Sequence, residues 1–189
     1  MITLFEAHLY GTQNIGTDAQ VKTLKDEILN LKSTQQSTTF SNAGCWRGQQ
    51  PLQNIGFLLD AIDRMVLDNI KEYSKKDQFF ANNVEPKWNI DYWMNVNEPG
   101  SRNEMHSHSP SVFSGTYYLQ GTGTGELRLI NPANILNNCN VQAPFVRDAR
   151  IAPNDKDLLM WPAWIPHEVL TNFSDRQRIN IAYDVHFTS

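Results

Sequence analysis

A mainly β fold with N-terminal helices, its sheet closed into a jelly roll and the helices packed on one outer face, is predicted by three features of this chain. Apolar residues recur at helical spacing only before residue 80; from Pro86 onward they alternate with polar ones. The later segments are short, closely spaced and divided by Gly, Pro, Asn and Asp, leaving too little chain for crossover helices, so their strands are expected to run antiparallel. At 189 residues the chain can bury a sizeable core, and we expect a single domain over 1–189, with a helical support region at 1–80 and a jelly-roll core at 86–189.

The first helix is expected from Thr17 to about Ser33, where Val21, Leu24, Ile28 and Leu31 share a face and Thr17 or Asp18 can cap the start. The polar stretch STQQSTTFSNAGC from Ser33 reads as a loop. After Pro51, Leu52, Ile55, Leu59, Ile62, Val66 and Ile70 form a second helical stripe. KWNIDYWMNVN then alternates, with Trp88, Ile90, Tyr92, Met94 and Val96 on one face and Asn89, Asp91, Trp93, Asn95 and Asn97 on the other. VFSGTYYLQ, ELRLI, DLLMWP, HEVLTN and QRINIAYDVHF are further strand candidates. In the last of these, Ile179, Ile181, Tyr183, Val185 and Phe187 would pack on the helices, while Arg178, Asn180, Ala182, Asp184 and His186 would line an interior. Such a mixed polar wall suits a ligand pocket better than a filled core.

Composition narrows the function. Hydrophobic residues make up 40% and charged residues 19% without long blocks, as in a packed globule, and the net charge of -4 lacks the basic excess that nucleic acid would demand. No apolar run reaches the ~18 residues of a membrane span. Cys45 and Cys139 stand far apart in no redox or disulfide pattern, and MITLFEAHLY lacks the basic start of a signal peptide; a cytoplasmic protein is expected.

Chemistry concentrates in NEMHSHSP. Side chains alternate along extended chain, so His106 and His108 can face one object, and a single metal ion is the natural one. His167 in WPAWIPHEVL, 58 intervening residues later, is the expected third ligand. Alone, the pair could be two exposed loop residues and His167 an ordinary hydrogen-bonded histidine; the combination is what points to a metal. His8 and His186, near the chain ends, are read as ordinary. Eleven positions after His167, Arg178 opens the last strand, where a guanidinium facing an apolar pocket calls for an anion held bidentately. Arg176 shares its face, and Arg178 is preferred because it is deeper in the strand.

These residues resemble the iron(II)- and 2-oxoglutarate-dependent oxygenases of the double-stranded β-helix (jelly-roll) fold, in which HxD or HxE, a distant His and a basic residue about ten positions on hold iron and the far carboxylate of 2-oxoglutarate. More narrowly, the chain is similar to an oxygenase family of bacteria and phages. The pieces are Ser41-Asn42 with Trp46, then WMNVNEPGSRNEMHSH, SGTYYL, WPAWIPH and RINIAYD, spanning most of the chain from about residue 40. The resemblance implies Fe(II) on His106 and His167, 2-oxoglutarate on Arg178, and Asn97 near the same pocket. It also implies dioxygen as a reactant and hydroxylation of an unactivated C–H bond in a small-molecule or peptide substrate. A homodimer is compatible with it.

The departure is His108, which stands where the superfamily has Asp or Glu. Either it ligates, giving a three-His site, or water takes the position; ligation is favoured. Glu104 has the right parity but precedes the pair, and is not expected to ligate. Trp93, Tyr117, Tyr118, Trp161 and Trp164 are candidates for pocket wall or core. Two other readings stay open here. One is a cupin-like metalloenzyme not using 2-oxoglutarate, since GSRNEMHSH fits a cupin's Gly, five residues, then HxH, although the cupin Glu is missing. The other is a non-catalytic binding or structural jelly roll.

Overall fold

The computed structural model describes residues 7–38, 42–76, 86–131 and 148–188; Ser41 and Cys139 lie outside them. Helix α1 spans Asp18–Thr34. Thr17 is its cap: Oγ1 accepts from the Gln20 backbone N–H at 3.2 Å, and the Gln20 side chain accepts from the Thr17 N–H at 2.9 Å. This reciprocal pair satisfies two donors that a helix start otherwise leaves open. Helix α2 spans Gly56–Lys76, starting later than the apolar stripe. Leu52 and Ile55 precede it as buried anchors, the Ile55 carbonyl accepting from Leu58 and Leu59.

The strands are β1 (Tyr10–Thr12), β2 (Asn42–Gly48), β3 (Lys87–His106), β4 (Phe113–Gln120), β5 (Leu127–Leu129), β6 (Ala149–Ile151), β7 (Leu158–Pro162), β8 (His167–Val169) and β9 (Arg178–Thr188). Among the described residues they form one antiparallel sheet in the order β1-β7-β4-β9-β3-β8-β5-β6, with β2 also on β3. The loop expected from Ser33 to Cys45 therefore ends early: β2 begins at Asn42 and pairs with β3 from Asn42↔Asn103 to Gly48↔Met94. Its polar, Gly-containing sequence carries no strand periodicity, because an edge supplied by β3 and a bulge at Gly44 (φ 73°) make the strand. β1 and β6, three residues each, were not anticipated and are too short to show a period.

The 20-residue β3 organises the molecule. Lys87 to Asn97 pair with β9, whereas Asn103 and His106 pair with β8 after a register shift. By handing over from one neighbour to another, this strand curls the sheet into a half-barrel with an outer and an inner face. On the outer face Leu24, Ile28, Leu58, Ile62 and Val66 of the helices bury against Met94, Val96, Ile179, Ile181 and Tyr183, as the alternation predicts. A smaller cluster, including Tyr118, Leu127, Leu129, Leu159 and Trp161, closes the inner side. Gly115 lies between the two: a Cβ there would sit 2.2 Å from the Tyr183 ring and 2.4 Å from the Leu159 carbonyl oxygen, which accepts from the Tyr183 hydroxyl. No helix among the described residues is long and apolar enough to cross a membrane.

Candidate active site

The inner face encloses a cavity of about 200 Å³. Its histidine-lined end is built by the β3–β8 pair, whose register sets His106 directly opposite His167. The chain leaves β3 after His106, and the His108 backbone N–H then donates to the Ala163 carbonyl at 3.0 Å, tying the second histidine to the turn before β8. One ring nitrogen from each of His106, His108 and His167 lies within 4.8 Å of the others. Glu104 is not in this group and pairs instead with Arg102 at 2.7 Å.

Each imidazole is oriented through Nδ1. That of His106 donates to the Glu104 carbonyl at 2.6 Å, that of His167 to the Ile165 carbonyl at 3.2 Å, and that of His108 to the Asp184 carboxylate at 2.9 Å. Each ring can then offer Nε2 to an ion, the arrangement in which a partner on the far nitrogen fixes tautomer and aim. Burial pushes the His167 pKa down to about 3, with the neighbouring imidazoles acting in the same direction, and burial also lowers that of His106. Both shifts favour the neutral imidazole, the form that can ligate a metal.

Arg178 closes the other end. It is 1% exposed, donating to the Gly125 carbonyl at 3.2 Å and to Asn103 Oδ1 at 3.3 Å, with no carboxylate in ion-pair reach among the described residues. Burial is the leading cause that lowers its pKa. Arg176, the competing candidate, is exposed. Asn97 lies opposite Arg178 in the β3–β9 register and is fully buried, but it does not line the cavity. Its Nδ2 donates to Asn103 Oδ1 at 3.1 Å, so Asn103 is the residue that meets Arg178 and the cavity.

Residues 91–184, about half the chain, match the model of a family described as "Putative 2OG-Fe(II) oxygenase". The chain belongs to this family of oxygenases. Solved structures give the same fold. A prolyl-4-hydroxylase from Pseudomonas putida aligns at TM-score 0.63 and 14% identity, covering 95% of this chain and 92% of that one. A Trichoplax adhaerens prolyl hydroxylase in complex with a hypoxia inducible factor peptide fragment gives 0.64 and 14%, covering 94% and 83%. HygX from Streptomyces hygroscopicus with nickel, 2-oxoglutarate and hygromycin B gives 0.62 and 10%, covering 95% and 83%. No curated protein matches the sequence. The double-stranded β-helix expected from the motifs is thus the fold of this oxygenase, and the family separates it from the cupin-like reading.

The oxygenase uses iron(II) and 2-oxoglutarate, and the residues fit both. His108 Nε2 is a buried nitrogen without a hydrogen-bond partner, beside two further imidazoles that suit iron. Of the aromatic candidates, Trp93, Tyr118 and Trp161 line the cavity, whereas Tyr117 is buried on the helix side, its hydroxyl donating to the Ile15 carbonyl, and Trp164 is half-exposed outside it. Sequence reasoning missed Asn103 and Arg47 as cavity residues, gave no role to Ser114, and placed Asp184 on the interior-lining face of the last strand without a specific role. The last two sit inside SGTYYL and RINIAYD, so motif membership was the signal present. Arg47 had none: it follows the misread stretch, and its guanidinium lies 5.0 Å over the Trp93 ring.

Proposed function

We propose that this oxygenase hydroxylates an unactivated C–H bond of a small-molecule or peptide substrate, with His106, His108 and His167 holding iron(II) and Arg178 holding the far carboxylate of 2-oxoglutarate. The observation that carries this is the pairing, in one cavity, of a buried arginine lacking an acidic partner among the described residues with three converging imidazoles. A guanidinium is expensive to bury unless an anion meets it, and its planar fork suits a carboxylate. Asn103 and Gly125 accept two of its N–H bonds, which turns the guanidinium and leaves donors for the co-substrate. Asn97 acts one residue further back by fixing Asn103.

Bound iron supplies the redox chemistry: dioxygen and 2-oxoglutarate become succinate and carbon dioxide, and one oxygen atom enters the substrate C–H bond as hydroxyl. The protein's part is placement. Tyr118, Leu127, Trp161 and Val169 wall the cavity with largely apolar surface that keeps water from the reacting groups. The three rings are held in their orientations because each Nδ1–H is engaged elsewhere. Substrate-free turnover of 2-oxoglutarate to succinate, measured with iron(II) and ascorbate, tests the assignment. Wild type should form succinate, His167→Ala should form none, and Arg178→Ala should need far more 2-oxoglutarate. Absence of wild-type turnover together with unchanged 2-oxoglutarate binding in Arg178→Ala would overturn it.

A further inference from the structure

In the superfamily pattern a carboxylate ligand brings a negative charge to the iron; here the third imidazole brings none. The structure holds a carboxylate one hydrogen bond further out. Asp184 Oδ2 accepts from His108 Nδ1 at 2.9 Å, and Asp184 Oδ1 accepts from the Ser114 hydroxyl at 2.5 Å. Both side chains of the His108–Asp184 pair are largely shielded, at 13% and 14% exposure. β4 and β9 hold the two acidic-end partners in register, with Ser114 directly opposite Asp184. The other constraint on the imidazole is a face: Trp93 stacks on it with ring centroids 5.4 Å apart and planes 11° apart. Edge and face are therefore both fixed, and Nε2 is left buried without a partner.

We infer that Asp184 is a positioning residue for the metal site, held by Ser114, which acts through His108 to supply the negative charge that a carboxylate ligand would otherwise bring. This rests on the reading of His108 as a ligand. A carboxylate on the far nitrogen of a ligating imidazole fixes its tautomer and makes it a stronger donor, and loss of such a partner typically weakens metal binding by ~10- to 100-fold. Nδ1 of His106 and of His167 donates to a peptide carbonyl, whereas Nδ1 of His108 donates to a carboxylate, so the hydrogen-bonded charge enters the site through His108. It also gives SGTYYL and RINIAYD a shared purpose: Ser114 and Asp184 form one hydrogen-bonded line that ends on the metal.

The test is a double-mutant cycle read as anaerobic iron(II) affinity, with the visible spectrum of cobalt(II) as a probe of the ligand field. Asp184→Asn should weaken iron(II) binding about 10- to 100-fold and shift the cobalt bands. His108→Ala should weaken it at least as much, and adding Asp184→Asn to His108→Ala should change nothing further. Ser114→Ala, which keeps the carboxylate but removes its anchor, should cost roughly 3- to 10-fold in the presence of His108 and nothing in its absence. It stands as the independent arm if Asp184→Asn does not fold. An Asp184→Asn or Ser114→Ala effect that persists undiminished without His108, or wild-type affinity in both, overturns the inference. Wild-type affinity in His108→Ala instead removes the ligand reading beneath it, and with it the inference.

Discussion

The two faces of the β3–β9 pair differ sharply in chemistry, although they are made of alternate residues of the same strands. Met94, Val96, Ile179 and Ile181 point outward into the helices and are completely buried. Asn95, Asn97, Arg178 and Asn180 point the other way and are nearly as buried, at 5%, 0%, 1% and 8% exposure. Burial on the outer face gains roughly 1.5–3 kcal/mol per large apolar side chain. Burial on the inner face gains no such term and must be offset by hydrogen bonds, such as Asn180 Nδ2 to Thr116 Oγ1 at 2.9 Å and Asn97 Nδ2 to Asn103 Oδ1 at 3.1 Å. One face is held by apolar packing and the other by hydrogen bonds, and the second is the face on which the proposed function places the charged ligands.

Substitutions on the two faces should therefore separate stability from ligand binding. The largest effect is expected on the outer face, where Ile181→Ala should lower unfolding free energy by about 2–5 kcal/mol in a denaturant titration; a loss under ~1 kcal/mol would mean that this face is not the load it is taken for. Arg178→Met should behave oppositely, keeping or raising stability, because a buried cation with no acidic partner among the described residues is replaced by an apolar chain of similar length, while 2-oxoglutarate binds roughly 10- to 100-fold more weakly by calorimetry. Were Arg178→Met to unfold the protein as Ile181→Ala does, the contrast between the faces would fail. The smallest change belongs to neither face: Lys22→Ala removes the exposed Lys22–Asp26 pair at 2.6 Å and should shift stability by no more than about 0.5 kcal/mol, setting the floor against which the others are read.

Much of this division is legible along the chain. Period-two alternation sorted Trp88 to Asn97 and Arg178 to Phe187 onto their correct faces, because a strand buried on two chemically different sides must alternate. Helical spacing likewise found both helices, with a late start at Gly56 that the stripe from Leu52 did not show. β2 was misread because its stability comes from β3's edge and not from its own residues. The candidate site divides in the same way. His106, His108, His167 and Arg178 stand out by type and spacing, whereas Asn103, Arg47, Ser114 and Asp184 are common polar residues whose importance depends on what lies across the cavity. Asn97 was assigned to the pocket by parity, and parity is right about its face; Asn103, arriving from the bent end of β3, occupies the space in front of it.

By itself, then, the sequence determined the fold class, the faces of the long strands and the histidine and arginine types of the candidate site, since these depend on periodicity and side-chain chemistry that a local reading preserves; iron and 2-oxoglutarate entered through the family resemblance of the motifs. The tertiary structure alone decided which polar residues meet: the bend of β3 that places His106 against His167, the register that places Ser114 against Asp184, and the hydrogen bond that brings that carboxylate to His108. These contacts join residues up to 76 positions apart, and only the curl of the sheet brings them within hydrogen-bonding reach.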